Sequence, residues 1–124
     1  AIADAAWHGD AKAVALMLDL GFDPRTPGHD SGTALHCAAW EGSVECVRAL
    51  LRHPDARELT GIRETRYQNS PLGWCCHGSR NGNTNRDHAT IAELLLEAGA
   101  PLGRDTDDAS PAVAAVLTRW KRAH

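Results

Sequence analysis

The chain has 124 residues, 43% of them hydrophobic and 23% charged, with a formal charge of −3. That balance fits one globular domain and neither two domains nor a disordered segment. An acidic chain with a sequence pI of about 6.1 argues against nucleic-acid or anionic-membrane binding, and no apolar run nears the roughly 20 residues of a membrane span.

In chain order, Ala5-Ala6-Trp7-His8-Gly9 reads as the end of a short helix, and Asp10 caps a second one carrying Val14-Ala15-Leu16-Met17-Leu18. Gly21-Phe22-Asp23-Pro24 is a turn. The same order returns with Thr33 as cap, Ala38-Ala39-Trp40-Glu41-Gly42, Ser43 as second cap, Val47-Arg48-Ala49-Leu50-Leu51, and the turn His53-Pro54-Asp55. It returns again with Ser70-Pro71, Cys75-Cys76-His77-Gly78, Asp87, Ile91 to Leu96, and Gly99-Ala100-Pro101. A last cap, Ser110-Pro111, opens one terminal helix through Ala115-Val116-Leu117, with Arg119, Lys121 and Arg122 suited to its C-terminal end. The small pairs recur at steps of 33, 37 and 40 residues.

The recurrence has a physical cause. Small residues at the paired positions let a partner helix approach closely. Val47, Leu50 and Leu51 repeat at i, i+3, i+4, one apolar face of a helix. Leu50 and Leu95 are expected to hold the same buried place in successive repeats. Helices this short do not stand alone in water, so stacking on the neighbouring pair must stabilise them.

A period near 33 residues with a short helix, a longer helix and a turn resembles ankyrin repeats of the bacterial type. Gly32 to Leu51, GTALHCAAWEGSVECVRALL, is similar to the family's Thr-Pro-Leu-His opening, double alanine and Val-x-x-Leu-Leu helix. Ala34 stands where proline is usual, and Gly73 where the box histidine would be in the third repeat. The resemblance implies an all-α ankyrin-repeat solenoid of about three and a half helix-turn-helix repeats with a C-terminal capping helix. It forms a single domain over 1–124, with repeats near 1–30, 31–67 and 68–107 and a partial one at 108–124. It also implies that His36 ties neighbouring loops together through ring hydrogen bonds, beginning with Thr33. Ala1-Ile2 aligns with Ala34-Leu35, so the chain opens inside a first helix without a cap of its own, as a trimmed terminus or a fragment would.

Four cysteines, Cys37, Cys46, Cys75 and Cys76, show no C-x-x-C spacing and read as small apolar core residues of a reducing compartment, most simply cytoplasm. Cys75-Cys76-His77 with His88 is the only metal-like cluster. Adjacent helical residues point about 100° apart, and a fourth ligand is hard to find, so no metal and no cofactor are expected. A thiol nucleophile paired with His77 or His88 is the enzymatic alternative, and no residue is assigned a catalytic role.

Two connections exceed the standard turn. Residues 78–86 form a polar, glycine-rich loop on the rim, and His53 to Asn69 form a solvated finger of mixed charge that includes Arg66 and Tyr67. Trp7, Trp40 and His77 fall in register at the ends of successive first helices, followed by His8, Glu41 and Gly78. The resemblance places these positions along a concave groove, rimmed by His29, Asp30, Arg66 and Tyr67. The rings can equally cover the core edge of the neighbouring repeat. The expected function is recognition of a protein or peptide through that groove, with no nucleic acid and no membrane, by a monomer or a part of a longer chain. The alternative is a small-molecule or enzymatic pocket made by Trp7, Trp40, His77 and the 78–86 loop, or a structural appendage to a larger enzyme.

Overall fold

The computed structural model describes residues 1–124, apart from the side chain of His29. Among the described residues it contains eight α-helices and no strand. Three helix pairs follow one another: α1 (Ile2–Trp7) with α2 (Ala11–Asp19), α3 (Ala34–Glu41) with α4 (Val44–Leu51), and α6 (Pro71–Asn81) with α7 (His88–Glu97). The short α5 (Ala56–Thr60) lies between the second and third pairs, and α8 (Pro111–Ala123) closes the chain. First helices α1, α3 and α6 pack side by side in one row; α2, α4 and α7 form the other, and α8 packs on α7. The result is an ankyrin-type solenoid.

Local chemistry starts each helix. Thr33, Ser70 and Ser110 cap α3, α6 and α8, and Asp10, Ser43 and Asp87 cap α2, α4 and α7, each accepting a backbone N–H three residues on. Pro71 and Pro111 take the first turn, where no N–H is needed. Helix α1 has no side-chain cap. The paired small residues Ala38, Ala39, Cys75 and Cys76 are fully buried between the rows.

Leu50 and Leu95 are both fully buried. Their places differ by one position, however: Leu50 lies seven residues after its cap Ser43, and Leu95 eight after Asp87. The counterpart of Leu50 in the third pair is Leu94, which is half-buried. In the first pair the counterpart is Met17, also half-buried, on a helix whose Leu16 faces solvent, as does Leu20 just past its end.

The two long connections are not as the sequence suggests. Gly42 ends α3 in the left-handed region, φ 84°. Ser79 stands at the matching place in α6, so that helix runs on to Asn81 and stops only before Gly82. Residues 78–81 are therefore helical, and the connecting loop is correspondingly shorter. The span from His53 to Asn69 is no solvated finger either. It holds α5, with Leu59, Thr60 and Glu64 buried, and Arg25 clamps it to the preceding turn by ion pairs to Asp55 and Glu58.

Candidate functional site

Trp7, Trp40 and His77 hold matching places in the three first helices, and all three side chains line one cleft of about 390 Å³. Asp30 and Tyr67 line it from the two inter-repeat turns, Asn69 and Trp74 from the start of the third pair, and Asn81 from the extra turn of α6. Trp7, Trp40 and His77 are half-buried, whereas Asp30 and Tyr67 are exposed.

Trp40 is fixed from several sides. Its ring meets Trp74 edge-on, with centroids 6.4 Å apart and planes at 76°, the geometry that ring quadrupoles favour. Its backbone carbonyl, left unpaired near the end of α3, accepts from His88 Nε2 at 2.9 Å. The two helices meet at Gly78, where a Cβ would lie 2.5 Å from that same carbonyl oxygen. Residue 78 must lack a side chain for α3 and α6 to approach this closely.

Trp74 is held by Glu64. The indole Nε1–H donates to Glu64 Oε2 at 3.0 Å. The same carboxylate accepts from the backbone N–H groups of Tyr67, Gln68 and Asn69. Burial pushes the Glu64 carboxyl up, but the Tyr67 N–H, the Trp74 indole, the Asn69 N–H and the nearby His36 outweigh it and hold the group below its usual range. One buried carboxylate therefore shapes the turn that carries Tyr67 and orients the ring behind Trp40.

His36 is hydrogen-bonded on both sides of its ring, to Thr33 within its own repeat and to Asn69 before the next. Its Nδ1 accepts from the Thr33 N–H at 3.1 Å, and Nε2 donates to the Asn69 carbonyl at 2.9 Å. Those partners fit the neutral ring, and burial lowers its pKa. In the third pair Gly73 replaces this histidine, and Asp105 Oδ2 lies 2.4 Å from where a Cβ would be. That oxygen accepts from both the N–H and the hydroxyl of Ser70, at 2.8 and 2.7 Å. A carboxylate from the following turn thus replaces the histidine as the tie between repeats.

Of the other sequence-derived candidates, Arg66 lies on the rim. Its Nη1 donates to Asp30 Oδ1 at 2.5 Å, and its guanidinium sits 5.2 Å from the Tyr67 ring centroid. His77 Nδ1 is 3.2 Å from Asp108 Oδ2, and Arg80 shares that carboxylate. His8 turns away and bonds the Asp4 carbonyl of its own helix. Glu41 is bonded by Asn83 Nδ2 at 3.5 Å. Neither His8, Glu41 nor Arg66 lines the cleft. His29 lies outside the described side chains. From residues 78–86 only Asn81 lines the cleft, so that segment forms no lid over it.

Two groups escape sequence reasoning. Trp74 stands where α3 has Cys37 and reads as core; only its offset of three from His77 puts both on one helix face. Glu64 sits in a stretch with no periodicity and gives no signal at all. The thiols offer no nucleophile, because Cys75 and Cys76 are fully buried. Burial and the nearby carboxylates of Asp105, Asp108 and Asp107 push Cys76 up to about 12, and burial pushes Cys75 well above its usual value. Cys75 instead donates to the His88 carbonyl. Among the described residues no group of three or more His, Cys, Asp or Glu is placed to hold a metal ion.

The family model for ankyrin repeats in three copies matches residues 2–106. The chain belongs to the ankyrin-repeat family. Its repeats are generally protein–protein interaction modules. The domain is 28% identical over 118 residues to the transient receptor potential cation channel subfamily A member 1 of Drosophila melanogaster, a match covering 94% of this chain and 9% of that protein. Among solved structures it is similar to the human ASB11 ankyrin repeat domain, with a TM-score of 0.65 and 22% identity over 95% of this chain and 53% of that one. The chain therefore spans about half of that solved domain and a small part of the channel. No helix among the described residues is long and apolar enough to cross a membrane.

Proposed function

We propose that this ankyrin domain binds a protein or peptide segment across the cleft walled by Trp7, Trp40 and His77. The observation that carries the reading is convergence: in-register side chains of three first helices, with Asp30 and Tyr67 from the turns, line one cleft of about 390 Å³. That size is near the lower end of ligand pockets, enough for one or two side chains of a docked segment. Rigid aromatic rings supply contact area at little entropic cost, which is why they dominate interface hot spots. The 78–86 segment does not enclose the cleft, and this favours docking over a sealed small-molecule pocket. Four buried free thiols suit a reducing compartment such as the cytoplasm.

The test uses peptides selected from a displayed random library on the wild-type domain. Trp7→Ala and Tyr67→Ala should each weaken the selected peptides about tenfold, roughly 1.4 kcal/mol, with the helical circular dichroism spectrum unchanged. Trp40→Ala should do the same, at some added cost in stability because Trp40 packs on Trp74. Peptides that bind all three variants as tightly as wild type would place docking elsewhere.

A further inference from the structure

We infer that the cleft receives the guanidinium of an arginine presented by the docked segment, an inference that rests on the peptide-binding reading above. The walls set the chemistry. Trp7, Trp40 and Tyr67 bring three π-systems to one space, with the buried Trp74 packed against Trp40, and the face of an aromatic ring carries negative charge. The carboxylate of Asp30 lines the same space, and among the described residues no lysine or arginine does. Arg66 at the rim takes Asp30 Oδ1, so the carboxylate's second oxygen, Oδ2, and the rings are what the cleft offers to a donor-bearing cation.

The protein's own Arg66 displays the pairing at the rim. Its guanidinium donates to Asp30 at 2.5 Å and lies over the Tyr67 ring at 5.2 Å, within the range of a cation–π contact. A second guanidinium entering beside it meets the same two kinds of partner, with the indoles of Trp7 and Trp40 as the stacking surfaces. A planar, weakly hydrated guanidinium stacks on rings at a lower desolvation cost than a compact ammonium. An apolar side chain in the same place would cover Asp30 and its ion pair without offering a donor, which costs free energy.

The domain's four tryptophans make the test direct, because Trp120 lies on α8, stacked on His124 and outside the cleft. The indole N–H signals of the ¹⁵N-labelled domain are followed during titration with N-acetylargininamide, at constant ionic strength. N-acetylcitrullinamide, of the same shape and without charge, is the comparison. Arginine should saturably shift Trp7, Trp40 and Trp74 but not Trp120, with citrulline at least about fivefold weaker. Asp30→Asn keeps a residue tolerant of the left-handed backbone at position 30 (φ 47°), and Trp7→Leu keeps bulk without a π-face; each should abolish the preference for arginine. Equal shifts by citrulline, no shifts by either, or a parallel shift of Trp120 would overturn the inference. Selected peptides that need Trp7 and Tyr67 yet bind unchanged with every arginine replaced by citrulline would sink the guanidinium and leave peptide docking standing.

Discussion

Glu64 has the strongest individual role among the buried polar residues, because one carboxylate satisfies three backbone donors and the Trp74 indole. Glu64→Gln keeps a single good acceptor and brings two N–H donors against other donors. We expect a loss of about 1–3 kcal/mol at neutral pH, the cost of buried groups left unpaired. The charge adds a pH signature. The folded pKa lies below the usual 4.5, so the stabilisation is fully present above about 4.5 and disappears as pH falls through the folded value. His36 acts in the same direction higher up. Burial lowers it from 6.5, so protonation of the unfolded chain begins to erode stability once pH drops below about 6.5. Urea melts between about pH 7 and pH 3 should show the wild type losing more than Glu64→Gln below about 4.5. Parallel losses would assign the acid sensitivity to other carboxylates.

Helix approach sets the next scale. At Gly78 an added Cβ would sit 2.5 Å from the Trp40 carbonyl oxygen, whereas at Gly61 the nearest atom is 3.6 Å away. Gly78→Ala should therefore force α3 and α6 apart and cost about 1–3 kcal/mol, and blur the Trp40–Trp74 contact seen by near-ultraviolet circular dichroism. Gly61→Ala, with φ −97°, should stay within about 0.5 kcal/mol of wild type. Equal stabilities of the two variants would mean that the helices are not in close contact at residue 78. The elements themselves were mostly legible from the sequence, because caps such as Ser43 and Asp87 and small pairs such as Ala38-Ala39 recur and each carries a local physical meaning. So was the register of Trp7, Trp40 and His77, which follows from repeat length alone. Trp74 was not, since a tryptophan at the Cys37 position looks like core, and it is indeed only 6% exposed although it lines the cleft. The extra turn of α6 depended on one residue, Ser79 in the place of a helix-ending glycine. The packing of the 53–69 connection depended on long-range partners, Arg25 and Trp74, that no local pattern encodes.

In a stack each repeat touches only its neighbours, so damage should spread differently from the centre and from an end. Helix α4 packs on α3, α2 and α7, whereas α8 packs mainly on α7, with its cap Ser110 bonded to Ser79 of α6. Leu50 is fully buried in α4, and Leu117 is 6% exposed in α8. Leu50→Ala leaves a cavity in the helix that joins the three pairs and should lower global stability by about 2–5 kcal/mol. Amide exchange should then accelerate in every helix together, because the element that opens is the one joining both halves. Leu117→Ala removes comparable apolar volume from a helix at the end of the stack, whose main support is α7. Its effect should be local unfolding: faster exchange throughout α8 and in the face of α7 it covers, while α3 and α4 keep the protection of the wild type. Hydrogen exchange read helix by helix separates the two patterns. Uniform acceleration in Leu117→Ala would mean that α8 is an integral part of one cooperative unit, and that the stack does not melt from its C-terminal end.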